Sequence, residues 1–158
     1  MVWRSFLFAA FSFASLLREA SAEEANPLAG LTIAGPSVVM FWAAWCAPCR
    51  AEVAVWPELQ RAAGPLPIHI VALDTSMERT RVLLKRIPAD RVHFGQTSSY
   101  SMLSAWPSLA TGLPFALTLN ARSQICANQN GGLTVERLAA MLHRCSLHSS
   151  TAPSGRPK

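Results

Sequence analysis

Two cysteines, Cys46 and Cys49, stand at a junction between an apolar run and a helical repeat, and that junction limits the folds open to the chain. Ser37 to Trp42 (SVVMFW) is continuously apolar, with β-branched and aromatic members, which predicts a buried strand. Ala43 to Trp45 turns out of it. From Cys46 to about Ala63 the pattern becomes helical, with Cys49, Val53, Trp56, Leu59 and Ala63 recurring at spacings of three and four. Gly64-Pro65 supplies the stop. A cysteine at a helix start meets free N–H groups and the positive end of the macrodipole, which favour a thiolate and lower the thiol pKa. The second cysteine, one turn in, is less exposed. This spacing lets the sulfurs close a small ring, so the pair can alternate between dithiol and disulfide through a mixed disulfide. Pro48 stiffens the first turn, where a missing N–H costs little. A half-site for zinc and a purely structural bridge are the rival readings. Zinc needs two further ligands at suitable spacing, and Cys126 and Cys145 form no second C-x-x-C. The strand–helix setting favours redox use.

The rest of the chain continues the alternation. Ile68 to Leu73 (IHIVAL) reads as a second buried strand. Thr75 with Glu78 forms a capping box that would start a helix through Val82, Leu83 and Ile87, with Pro88 as its stop. Arg91 to Phe94 reads as a short extended piece and Tyr100 to Ala105 as a short helix ended by Pro107. Leu113 to Leu119 is a strand opening with Pro114, Asn120 to Ser123 a hairpin turn, and Gln124 to Asn128 the return strand, broken by Gly131-Gly132. Thr134 to Cys145 is an amphipathic helix with Leu138, Met141 and Leu142 on one face. The order β-α-β-α-(short α)-β-β-α predicts an α/β fold, a parallel βαβ unit followed by an antiparallel hairpin and a closing helix.

The two ends read differently from this core. Arg4 gives a positive start. Ser5 to Leu17 is uncharged and mostly apolar, and as a helix would span roughly 20 Å, short of a ~30 Å hydrocarbon core. Ala20-Ser21-Ala22 supplies a small-residue cleavage box. Residues 1–22 therefore read as a secretory signal cleaved after Ala22, against the alternatives of a buried N-terminal helix or an uncleaved anchor. Export to the periplasm or beyond follows, where disulfides persist, and all four cysteines lie after the cleavage site. No stable membrane span is expected after cleavage. Residues 23–145 form one domain, opened by a polar, small-residue lead-in from Glu23 to Pro36, and residues 146–158 a flexible tail. At 51% hydrophobic and 15% charged residues the chain is too apolar for disorder.

The segment from Phe41 to Arg50 (FWAAWCAPCR) resembles the active-site segment of the thioredoxin superfamily, and Gly112-Leu113-Pro114-Phe115 resembles its cis-proline loop. The resemblance covers roughly Ser37 to Cys145. Within the superfamily the chain is most similar to secreted TlpA/ResA-type thiol–disulfide oxidoreductases. The Trp-Cys-x-Pro-Cys-Arg run, Glu52 three residues after Cys49, and the extra length before Pro114 carry that similarity. It implies a thioredoxin-like fold, a central mixed sheet flanked by helices. Cys46 would be the attacking thiolate, Cys49 the resolving thiol and Pro114 cis. Leu113 would offer its backbone to an extended substrate strand. Glu52, on the same side of the helix as Cys49, would be a proton acceptor; otherwise it is an ordinary solvated helix glutamate. Trp45 is expected to shield the disulfide and contact partners, and Trp42, Trp56 and Trp106 to be core. Three positions depart from the pattern. Met40 stands where thioredoxin has a buried carboxylate. Ala54 stands where a helix proline is usual, with Pro57 instead, and the hairpin before the first strand is missing or very short.

Cys126 and Cys145 lie a strand length of roughly 13 Å and a helix length of roughly 17 Å from their shared turn, so they can meet. A structural disulfide closing about 20 residues and worth about 3 kcal/mol is expected, with a second redox pair or free thiols as alternatives. His143 and His148 flank Cys145 and read as helix face and tail, with a metal site as the alternative. His69 reads as a core or edge residue of its strand. Net charge is +5, falling to +4 without Arg4, Arg18 and Glu19. Arg79, Arg81, Lys85 and Arg86 are the densest basic group and lack aromatic interleaving, which reads as a solvated face favouring acidic partners and no nucleic acid. No cofactor or metal is expected. The partners implied by the resemblance are oxidised client proteins, such as cytochrome c or cuproprotein precursors, and a membrane electron-relay protein as donor. The competing functions are a disulfide oxidant, a copper-binding module and a non-catalytic interaction protein.

Overall fold

The computed structural model describes residues 28, 31, 33–73, 76–95 and 98–150, without the side chains of 99, 100, 103 and 147–150. The expected signal at 1–22 and the last part of the expected tail, 151–158, lie outside the described residues. Five strands form one sheet in the order β3-β2-β1-β4-β5: β1 (Ser37–Trp42), β2 (Ile68–Ala72), β3 (Val92–Phe94), β4 (Phe115–Leu119) and β5 (Ile125–Asn130). The pairs β1–β2 and β2–β3 are parallel, and β1–β4 and β4–β5 antiparallel. The sheet is thus mixed and flanked by helices on both faces, as the sequence order predicts.

β1 lies at the centre and is buried at every residue, which explains its unbroken apolar run. Val38, Met40 and Trp42 face one side with Ile68, Ile70, Leu59, Leu138 and Met141. Val39 and Phe41 face the other with Val71, Leu117, Met102 and Trp106. There the Phe41 ring lies 5.8 Å edge-on from Trp106 and 5.5 Å from Phe115, within the range of favourable aromatic pairs.

Several element boundaries differ from those expected. The single helix from Cys46 to Ala63 is two helices, α1 (Ala47–Ala54) and α2 (Trp56–Ala63), separated at Val55. Pro57 has no N–H to give to the preceding turn, so the ladder stops and restarts. Val55 N donates to Glu52 O at 3.2 Å, and Val55 O accepts from Leu59 N at 3.1 Å. In α3 (Met77–Leu83) the N-cap is Ser76, whose hydroxyl accepts from Arg79 N at 3.3 Å. Thr75, expected there, lies outside the described residues. The helix, expected to run through Val82, Leu83 and Ile87 to Pro88, stops at Leu83; Val82 and Leu83 are 58% and 38% exposed, while Leu84 and Ile87 are buried. The turn that follows rotates the next apolar residues inward. α4 spans Ser99–Ala105. α5 (Val135–Ser150) continues past Cys145, where the domain was expected to end. No Gly or Pro lies between Cys145 and Ser150 to stop it.

Candidate active site

β1 ends at Trp42, and the antiparallel register Phe41–Phe115 sets that end beside the start of β4. The Cys46–Cys49 turn and the Leu113–Pro114 loop therefore share one edge of the sheet. Cys46 is the N-cap of α1, with extended backbone, and its Sγ accepts from Cys49 N at 3.3 Å. The two are joined as a disulfide with Cα atoms 5.3 Å apart. Both are buried, at 4% and 0% exposure, so a partner reaches the bond over the exposed Ala47 and Pro48. Trp45, by contrast, is 59% exposed and stands on the rim as a large apolar surface.

Three groups hold this turn, and only one was singled out from the sequence. Trp42, expected merely as core, is buried and also donates its indole Nε1–H to Cys49 O at 3.1 Å. Arg50 donates to Ala44 O at 2.8 Å, fastening the start of α1 to the turn before it. Glu52 is buried, 5% exposed, and its Oε1 accepts from the backbone N–H of Leu133, which ties α1 to the segment leading into α5. It is not a solvated helix glutamate. Burial pushes its carboxyl up to about 7, and the Leu133 N–H opposes that rise. Near neutral pH Glu52 therefore exchanges a proton readily, one helical turn from Cys49.

The Leu113–Pro114 peptide bond is cis, and Pro114 is buried. The loop is fixed by a residue that no sequence pattern marked. Asn130 Oδ1 accepts from Thr111 N at 2.8 Å and from Thr111 Oγ1 at 3.0 Å, while its Nδ2 donates to Leu109 O at 2.7 Å. Next to it Gly131, with φ of 78°, donates its N–H to Pro114 O at 3.0 Å. A residue with a Cβ would be strained at that φ.

Cys126 and Cys145 are also bonded, with Cα atoms 5.0 Å apart. They lie at the other end of β4, roughly 13 Å from the cis-proline loop. His69, on its strand, meets His93 of β3 with Nδ1 and Nε2 3.0 Å apart. Among the described residues, no group of three or more His, Cys, Asp or Glu could hold a metal ion, and no helix is long and apolar enough to cross a membrane.

A mixed sheet in this order, with a C-x-x-C disulfide at the N-cap after the central strand and a cis-proline before its antiparallel neighbour, is the thioredoxin-like fold. No family model and no curated protein matches the chain. Solved structures do. A putative thiol:disulfide interchange protein DsbE from Chlorobium tepidum matches with a TM-score of 0.53 at 19% identity, over 73% of this chain and 79% of that one. A thio-disulfide isomerase from Thermus thermophilus matches with a TM-score of 0.53 at 23% identity, over 72% and 81%. A secreted Mycobacterium tuberculosis disulfide oxidoreductase, described as homologous to E. coli DsbE, matches with a TM-score of 0.51 at 14% identity, over 72% and 81%. At these identities the likeness establishes the fold.

Proposed function

We propose that the protein is a thiol–disulfide oxidoreductase working outside the cytoplasm, and that it reduces disulfides of secreted clients. The observation that carries this reading is the Cys46–Cys49 disulfide at the mouth of α1, with the Cys49 N–H aimed at Cys46 Sγ. In the reduced protein that donor stabilises a thiolate on Cys46. The thiolate attacks one sulfur of a client disulfide and expels the other as a client thiolate. Cys49, its proton passed to Glu52, then attacks Cys46 Sγ, releasing the second client thiol and leaving Cys46–Cys49 oxidised. Leu113 offers backbone to the client as an added strand beside Pro114, and Trp45 covers the bound segment. A membrane electron-relay protein returns the two electrons. Oxidised cytochrome c or cuproprotein precursors are suitable clients.

Reduction is favoured over oxidation because the Ala47-Pro48 pair adds no cation to the Cys49 N–H, so the thiolate form is not held unusually strongly. The reduction potential of the Cys46–Cys49 couple, measured against glutathione, tests the direction. A value near about −270 mV is expected, and one near about −120 mV makes the protein an oxidant. Failure of the protein to catalyse insulin reduction by dithiothreitol would remove the enzymatic reading altogether.

A further inference from the structure

A groove of about 320 Å³ runs from Arg50 along α1 to Trp56 and Pro57, with Leu83, Lys85 and Arg86 at the end of α3 as its other wall. Its floor is apolar, since Trp56 and Ile87 are buried, and Leu83 stands 38% exposed on its lip. Three of its lining residues are cations and none is an acid. Among the described residues Arg50, Lys85 and Arg86 form no ion pair; the carboxylate bridge there joins Asp90 to Arg91. Glu58, the acid nearest along α2, lines a different hollow with Arg61. Beyond Lys85 and Ile87 the groove meets a second hollow of about 330 Å³, where the Arg81 guanidinium lies 5.9 Å from the centre of the Phe94 ring. The positive strip is therefore continuous, and Arg81 is held by an aromatic face.

Its position relates it to the active turn. Arg50, which lines one end of the groove, follows Cys49 directly in α1 and is anchored by its bond to Ala44 O in the turn before Cys46. The cis-proline loop lies on the β4 side of β1, whereas the segment carrying Lys85 and Arg86 connects β2 to β3 on the opposite side. A client disulfide seated at Cys46 would leave one flank against Pro114 and the other leading to the groove.

We propose that this groove docks an acidic segment of the client polypeptide flanking the disulfide to be reduced, and so sets client preference. The inference rests on the oxidoreductase reading for its consequence, but the charge match stands by itself. A concave slot with an apolar floor and unpaired cations at its rim fits an extended chain bearing Asp or Glu between apolar residues. Long-range attraction also raises the encounter rate of such clients, an effect that salt removes.

The test uses cystine-containing peptides identical except for flanks of glutamate, glutamine or lysine, reduced by the purified protein with dithiothreitol as donor. The glutamate-flanked peptide is expected to show a kcat/KM about five-fold above the lysine-flanked one at low salt, and the difference to shrink at high salt. Lys85→Glu/Arg86→Glu is expected to abolish or invert the preference while leaving the glutamine-flanked peptide unchanged. Equal rates on all three peptides, or a preference that survives the double reversal, would overturn the proposal. If no peptide is turned over, the oxidoreductase reading fails. The groove is then judged by anisotropy of the labelled glutamate-flanked peptide with serine for cysteine: binding lost on double reversal supports docking, and no binding overturns it. Binding to phosphatidylglycerol vesicles that depends on Lys85 and Arg86, without peptide preference, also overturns it in favour of a membrane surface.

Discussion

The Cys46–Cys49 bridge spans three residues at the mouth of α1, whereas Cys126–Cys145 spans 19 and ties β5 to the body of α5. The surroundings of the sulfurs are opposite in sign. Cys46 Sγ faces the Cys49 N–H, a donor that welcomes negative charge. Cys126 Sγ lies 3.2 Å from Thr118 O, a carbonyl that would accept from a thiol there and disfavour a thiolate. A thiolate is the species that exchanges disulfides. On the proposed function the first bridge is the one that opens, and the second the one that stays shut and restricts the unfolded chain.

Replacing the attacking sulfur gives the largest effect that separates the two. Cys46→Ser is expected to lower disulfide-reductase turnover by more than about 1,000-fold while the far-ultraviolet circular dichroism stays native. The paired replacement Cys126→Ser/Cys145→Ser is expected to do the reverse. It costs about 3 kcal/mol in urea denaturation and leaves turnover within about two-fold. Turnover lost in the second variant, or retained in the first, would erase the contrast.

Glu52 sharpens it next, because the proposed proton acceptor is also a buried link between α1 and Leu133. Its folded pKa is raised from 4.5 to about 7, so the folded state binds the proton more tightly than the unfolded one. The related stability is full below about 4.5 and is lost as pH rises to about 7. Glu52→Gln is expected to flatten that slope, raising stability at pH 8 by up to about 3 kcal/mol, and to remove the neutral-range limb from the kcat/KM profile. A pH-rate profile identical to that of the native protein would leave Glu52 with its packing role only.

Asn130→Ala tests the loop beside the first bridge. Loss of its bonds to Leu109 and Thr111 is expected to cost about 1–2 kcal/mol and to raise KM for a peptide disulfide several-fold with little change in the reduction potential. The smallest effect on turnover is expected at His69, remote from both bridges and only half-buried, so that solvent screens its effect on stability. Burial first, then His93 and Arg91, push its pKa down to about 4. Its contribution is present above about 6.5 and lost as pH falls toward about 4, so His69→Asn should make acid unfolding slightly shallower in that window.

The sequence by itself determined what depends on near neighbours. The apolar run from Val38 to Trp42 marks a buried strand, and β1 lies there. Cys46-Ala47-Pro48-Cys49 sets a cysteine cap and a proline in the first helical turn. The spacing of Leu138 and Met141 marks the inner face of α5, and both are buried. The tertiary structure alone decided what joins distant segments. No local pattern could show that Glu52 meets Leu133, that Trp42 bonds Cys49 O, or that Asn130 clamps residues 109 and 111. The same holds for α3, which stops at Leu83 so that the turn after it, not the helix, carries Leu84 and Ile87 into the core. Periodicity reports which face of an element is apolar. Where an element stops, and which polar groups are then left to find partners, is settled by the elements packed against it, because a buried donor or acceptor must be satisfied by whatever lies within reach.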